Sequence, residues 1–355
     1  MKTLSLLHTK AAAVVMSLAL IAAACGDIDD AKKDVVPEGY GILSINVKSG
    51  ASTKAYTDAI GANGGDLTVN NLQAIIFDEN GNWYDTMDLT GTGNSRSGNK
   101  AVPQGKYTVV AVANGTTYDQ TTAPNLETLR AVRMPLASET QANGLSRYGE
   151  SAQVTVGKDG GSASVAVNLL AFRVTLDTIT KNLSSSSASV DISAAFLENV
   201  WGTSTLSGTV TDFQNKGGRT DYGTGASIKP VISASTAYAK DLTYSSTNPA
   251  GHAKGFYSYA KAVTNDQFEG PLASGEAFTR LVLVGSWKQT ASSDPETVYY
   301  PVTIPSPAAG YSYDVKVTIT NKGSDDPNKL PTNGALAVNV TIGNWIAGPD
   351  IDEKF

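Results

Sequence analysis

Gly41-Ile42-Leu43-Ser44-Ile45-Asn46-Val47-Lys48 is an alternating strand. Leu43, Ile45 and Val47 fall on one face, Ser44, Asn46 and Lys48 on the other, with Ile42 the apolar exception. Behind it comes a stretch with Ser and Thr, Ala51 to Asp58 (ASTKAYTD), which carries one basic residue, Lys54. A first strand tied to the rest by such a loop is a piece that can be replaced.

Upstream of it the chain has the form of a processing segment. Lys2 and Lys10 are followed by a small-residue apolar run, Ala11 to Ala24, and then at once by Cys25. Ile21-Ala22-Ala23-Ala24-Cys25 has the pattern of a lipoprotein signal: small residues let a peptidase approach the backbone, and the thiol carries the lipid. Ala22 stands where such signals usually have Leu, and a plain secretory signal with an incidental cysteine is the alternative. Residues 1–24 are expected to be signal and 25–38, including Asp27 to Glu38 (DIDDAKKDVVPE), a polar tether ended near Pro37.

Cys25 is the only cysteine among 355 residues, so no internal disulfide or thiolate metal cluster can form. The length exceeds what one core usually fills, so two domains are expected, 39–165 and 166–355. No second apolar stretch of membrane-spanning length follows the signal. A net charge of −6 argues against nucleic acid as a partner. Two histidines, His8 and His252, exclude chemistry built on several of them.

Outward from the opening strand the pattern is of short strands and turns. Leu72 to Phe77 (LQAIIF), a turn at Asp78-Glu79-Asn80-Gly81 with Asn80-Gly81 at positive φ, and Trp83 to Leu89 read as a hairpin. Thr90 to Lys100 reads as a Gly/Ser/Asn loop. Lys106 to Ala113 (KYTVVAVA) is apolar on both faces and therefore central. Asn125 to Arg133 has helical spacing, with Asn125 as its cap. Leu136 to Glu150 reads as loop. Ala152 to Val156 and Ser162 to Asn168 flank a hairpin turn at Lys158 to Gly161. Strands follow at 171–177 and 190–200. Trp201 to Gly225 is rich in Gly, Thr and Asp, and the stretch from there to Phe268 is poorly patterned, so long loops with short strands are expected, with Tyr257 and Tyr259 as anchors. Phe278 to Gly285, Val298 to Ile304 (near an edge, because of Pro301), Tyr311 to Thr320 and Ala335 to Ile346 close the chain. In the last of these Leu336, Val338, Val340 and Ile342 share one face, behind a loop long enough to let the strand travel. The fold class is all-β, with two packed-sheet domains in series.

Chemistry is sparse. No phosphate loop, dinucleotide fingerprint or nucleophile elbow is present. Asp325-Asp326 and Asp350, Asp352 and Glu353 read as turn and tail residues, without the alternation of a calcium loop. Trp83, Trp201, Trp287 and Trp345 are glycan-platform candidates that serve equally as core or sheet-edge fillers. No catalytic, cofactor or metal site is expected, and the chain is not expected to be an enzyme.

One order of motifs points further. A lipoprotein signal precedes Val47-Lys48-Ser49-Gly50 and Lys54. Then come Asn71 to Asp78 before Asn80-Gly81, and Val102-Pro103-Gln104-Gly105 leading into Lys106 to Asn114. The end has Tyr311 to Thr320, a proline-bearing loop, and Val338 to Trp345. This succession resembles the fimbrillins, the pilus subunits of Bacteroidales also called type V pilins. The resemblance implies two transthyretin-like β-sandwich domains in tandem, export as a lipoprotein through Cys25 to the outer membrane, and a place on the cell surface in a fimbria. It implies a protease cut after Lys54, before Ala55, which removes the strand bearing Leu43, Ile45 and Val47. A neighbouring subunit's strand, with Leu336, Val338, Val340 and Ile342 and the tail to Phe355, then fills the groove. The partners it implies are other pilin subunits, membrane lipid before processing, the protease, and a surface receptor that the residues do not name. Lys54 departs from the arginine of the usual cut site. An uncut pilus anchor, and a non-polymerising surface lipoprotein that binds glycan or protein, are the alternatives.

Overall fold

The computed structural model describes residues 36–49, 69–91, 95–136, 145–214, 255–261, 278–304, 307–327, 329, 331 and 336–344. All of them lie in one compact unit, Val36–Phe355. In chain order the first half holds β1 (Tyr40–Ser49), β2 (Leu72–Phe77), β3 (Trp83–Met87), β4 (Ser95–Pro103), β5 (Gly105–Ala113), α1 (Leu126–Arg130), β6 (Arg133–Pro135), β7 (Arg147–Glu150), β8 (Val154–Val156) and β9 (Gly161–Leu169). The second half holds β10 (Ala171–Lys181), β11 (Ser189–Glu198), β12 (Val200–Thr205), β13 (Val210–Gln214), β14 (Gly255–Tyr259), β15 (Thr279–Lys288), β16 (Glu296–Ile304), β17 (Tyr311–Ile319) and β18 (Leu336–Asn344). The protein is thus predominantly β, as expected.

Eight strands form the first sheet, in the order β3-β2-β5-β7-β9-β1-β4, with β8 also on β5. β5 is central, as its two apolar faces require. Tyr107, Val109 and Ala111 face a core shared with Leu43, Ile45, Val47, Ala163, Val165 and Val167. Val110 and Val112, on its other face, join a second core with Leu129 of α1, which continues through Phe172, Val174, Tyr313 and Val315. Three further sheets follow, β14-β10-β17-β18, β11-β15-β16 and β13-β12-β6. β16 is an edge strand, where Pro301 removes no ladder donor from the interior. The chain passes from the first sheet to the next at Leu170, between β9 and β10. A division at residue 165 would therefore cut through β9.

Local signals explain most elements. The Asn125 side chain accepts a 2.8 Å hydrogen bond from the Thr128 backbone N–H and caps α1. The helix stops at Arg130 rather than Arg133, because Arg133 and Met134 are drawn into a ladder with β12. At the β2–β3 turn only Gly81 takes positive φ, and the Asp78 carboxylate instead accepts from the Asn80 and Asn82 backbone N–H groups. The turn at 157–160 forms, but β8 leaves it to pair with β5 rather than with β9.

Two stretches differ from the loops expected of them: β4 covers residues that read as loop, and β7 lies within 136–150. The short strands β12 and β13 pair as a hairpin that includes Trp201, opposite Phe213. β4 is an edge strand with alternating exposed and half-buried residues, so nothing required apolar side chains in it. β7 carries a buried arginine and a glycine where apolar residues would have signalled a strand.

Gly149 in β7 packs so closely on β9 that an added Cβ would stand 2.1 Å from the Ala166 carbonyl oxygen, whereas at Gly157 it would meet nothing within 4 Å. Gly149→Val is expected to lower unfolding free energy by about 3 kcal/mol or more, and Gly157→Ala to stay within about 0.5 kcal/mol. Urea denaturation of the two variants beside the parent checks this, and equal stabilities would contradict the packing.

Candidate functional site

β1 is enclosed on both sides. It pairs antiparallel with β4 from Tyr40↔Pro103 to Lys48↔Ser95, and parallel with β9 from Leu43↔Gly161 to Ser49↔Val167. Alternation puts Leu43, Ile45 and Val47 on the core side, where they are 0 to 1% exposed. Burying three such side chains contributes about 1.5–3 kcal/mol each before ordering costs. That sum is comparable to the net stability of a small domain. Removal of β1 would open a slot with unpaired backbone on both walls, floored by Ala163, Val165, Val167, Val109 and Ala111.

The ends of the slot are specific. At its start, a Cβ on Gly41 would stand 2.0 Å from the Gly157 carbonyl oxygen and 2.8 Å from a Val156 methyl, so only glycine fits. At its end, Ser49 is 3% exposed and its hydroxyl accepts a 2.5 Å hydrogen bond from the Arg147 guanidinium, itself 1% exposed. In the sequence Ser49 stands out only as part of Val47-Lys48-Ser49-Gly50, and Arg147 not at all. A buried Arg–Ser contact between strands so far apart in the chain leaves no local pattern.

Leu336, Val338, Val340 and Ile342 lie on β18, at register positions opposite Ile319, Val317, Val315 and Tyr313 of β17. Among the described residues β18 is an edge strand with β17 as its ladder partner. The loop before it is less free than its length suggests. Ser324 bridges Tyr299 of β16, and the Tyr300 hydroxyl donates to the Asn321 carbonyl at 3.0 Å. The chain between Pro327 and β18 is residues 328–335, a reach of about 27 Å when extended. Cys25 and Lys54, the expected lipid and cleavage sites, lie outside the described residues, as do His252, Trp345 and the acidic tail.

The remaining candidates are structural. Trp287 is buried, Trp83 packs edge-on against Phe77 at 5.8 Å, and Trp201 lies tilted against Phe213 at 4.9 Å with the Lys261 ammonium 4.5 Å from its ring centre. Among the described residues no group of three or more His, Cys, Asp or Glu could hold a metal ion. No helix among them is long and apolar enough to cross a membrane. Beside β18, Asp314 of β17 is 5% exposed, and burial pushes its carboxyl up to about 7 against the attraction of Lys316.

Residues 42–225 match the family described as major fimbrial subunit protein (FimA). The match covers just over half of the sequence, and the chain belongs to this family. It is therefore a structural protein of fimbriae at the cell surface and not an enzyme. Solved structures share the fold at low identity. A fimbrilin (FimA) from Porphyromonas gingivalis W83 is 16% identical, with 86% of this chain and 98% of that one covered and a TM-score of 0.58. A protein provisionally assigned to cell adhesion from Bacteroides eggerthii DSM 20697 is 19% identical, with 87% and 97% covered and a TM-score of 0.59. No curated protein matches in sequence.

Asp314 yields a pH prediction. Its folded carboxyl titrates near 7 and its unfolded one near 3.8, so the folded state holds the extra proton between those values. Its contribution is most favourable below pH 4, declines as pH rises to 7 and is flat above. Asp314→Asn is expected to gain stability over the parent between pH 5 and pH 8, by on the order of 2–4 kcal/mol. Denaturation of both proteins at the two pH values measures it, and a pH-independent difference would contradict it.

Proposed function

We propose that this chain is a fimbrial shaft or accessory subunit that polymerises by strand exchange. Residues 1–24 direct export, Cys25 carries lipid to the outer membrane, and residues 25–38 tether the fold. Two transthyretin-like β-sandwich domains follow, meeting near Leu170 rather than at residue 165. A surface protease cuts after Lys54, before Ala55, and β1 leaves. The strand bearing Leu336, Val338, Val340 and Ile342 of a neighbouring copy, with the tail to Phe355, enters the slot.

The single observation that carries this reading is the placement of β1. It lies between two strands, buried by its apolar face, and the segment behind it carries a basic residue. Such a strand covers an edge that would otherwise recruit a partner. Because donor and acceptor surfaces differ, the contact is heterologous and repeats into an open filament. The polymer serves adhesion, through a receptor whose chemistry no described residue specifies.

Material taken from the native surface is expected to begin at Ala55 and to run as a ladder of oligomers, as N-terminal sequencing and unboiled gels would show. A lipidated start at Cys25 in all of it would replace the shaft reading by that of an uncut anchor or a monomeric lipoprotein.

The two strands are expected to differ in when they matter. Ile45→Asp is expected to weaken the uncut precursor by about 2–4 kcal/mol, within the range for breaking a core. Once β1 has left, it is expected to leave fibres unchanged. Val340→Asp is expected to abolish fibres. Precursor denaturation and fibre yield distinguish the two, and loss of formed fibres with Ile45→Asp would count against departure of β1.

A further inference from the structure

The slot of β1 sets a sequence requirement, and the last strand meets it in one register. Read in the same direction, Gly41-Ile42-Leu43-Ser44-Ile45-Asn46-Val47-Lys48-Ser49 aligns with Gly334-Ala335-Leu336-Ala337-Val338-Asn339-Val340-Thr341-Ile342. Glycine, leucine, asparagine and valine coincide at the first, third, sixth and seventh positions, and Val338 stands for Ile45. The coincidences are the ones the slot selects. Gly41 is where a Cβ would strike the Gly157 carbonyl, and Leu43, Ile45 and Val47 are the buried face.

Other registers fail on chemistry. Anchoring Gly310 or Gly323 at the Gly41 position puts Ser312 and Asp314, or Asp325 and Pro327, toward the core. Gly348 brings Asp350, Asp352 and Lys354 there, and Gly343 brings Trp345, Ala347 and Pro349, the last without an N–H for the ladder. Insertion in the opposite direction from Gly343 buries Thr341 and Asn339.

Resting on the strand-exchange reading above, we infer that a second copy's strand 334–342 enters the slot in the direction of β1, with Gly334 at the position of Gly41, Leu336 at Leu43, Val338 at Ile45 and Val340 at Val47. The hydrogen bonding favours the transfer. On its own chain β18 makes one ladder of nine residue pairs with β17. In the slot, a strand at positions 41–49 makes eight pairs with β4 and seven with β9. One position is mismatched: Ile342 falls where Ser49 accepts the Arg147 hydrogen bond, and has no hydroxyl to accept it. β1 is therefore the better-matched occupant at that end, and its covalent tether adds to its advantage until the chain is cut.

In this register Asn339 faces Ser97 of β4, as Asn46 does. Directly opposed strand residues lie within disulfide range, while residues slipped by two are beyond it at about 7–8 Å. Ser97→Cys with Asn339→Cys, in a chain whose native Cys25 departs with the cut segment, is expected to lock native fibres into a covalent ladder on non-reducing gels. Ser95→Cys or Asn99→Cys with Asn339→Cys is expected to leave them unlinked.

Gly334→Val is expected to stop polymer growth while the monomer keeps its melting temperature, and Ala335→Val to change neither. Fibres linked through residue 95 or 99, fibres linked by none of the three pairs, or unimpaired growth of Gly334→Val would overturn the register while leaving strand exchange standing. If the parent chain forms no polymer when cut after Lys54, strand exchange itself fails and the register with it.

Discussion

The double ladder of β1 is the constraint on which the first half of the molecule depends. β4 has no other ladder partner among the described strands, and β9 meets only the short β7 on its other side. The core of Tyr107, Val109, Ala111, Val165 and Val167 is closed by Leu43, Ile45 and Val47. β1 is an interior strand, one in from the edge strand β4, and also the first strand among the described residues. The sheet is complete only while a segment at the very start of the fold stays in it, so cover and scaffold are one element.

Much of this was legible in the residues, and the reasons are physical. Strands that bury one face or both advertise themselves by alternation or by an apolar run, as β1, β5 and β17 do. The α1 cap was legible because Asn125 makes a local contact. β4 was not, because an edge strand such as Ser95–Pro103 needs backbone partners more than apolar side chains. The slot showed itself only as alternation in one strand. That it has two walls is a property of pairing between distant segments, which a single sequence does not record. The glycine at its mouth and the arginine at its far end were invisible for the same reason.

Buried charge is distributed with some purpose. Glu198 and Arg280 face each other across the β11–β15 ladder, fully buried, with 3.8 Å between carboxylate and guanidinium. Nearer the surface, Arg130 holds Glu150 through both oxygens, at 2.8 and 2.5 Å, and keeps that carboxyl below its ordinary range, while Tyr148 donates to the same carboxylate. A buried pair such as Glu198 and Arg280 adds little net stability compared with apolar packing, but removing one partner is costly. Such a pair penalises a misregistered pairing more than it rewards the right one.

The pairing of Leu43 with Gly161 also sets the order in which the sheet is completed. β1 leaves the ribosome first, yet one of its walls does not exist until β9 has been made. Contacts this distant in sequence form late, after the entropy of closing the intervening loop has been met. The second wall of β1 is thus the last part of its slot to be synthesised, and because β1 and β9 belong to one chain their encounter is a search within a small tethered volume.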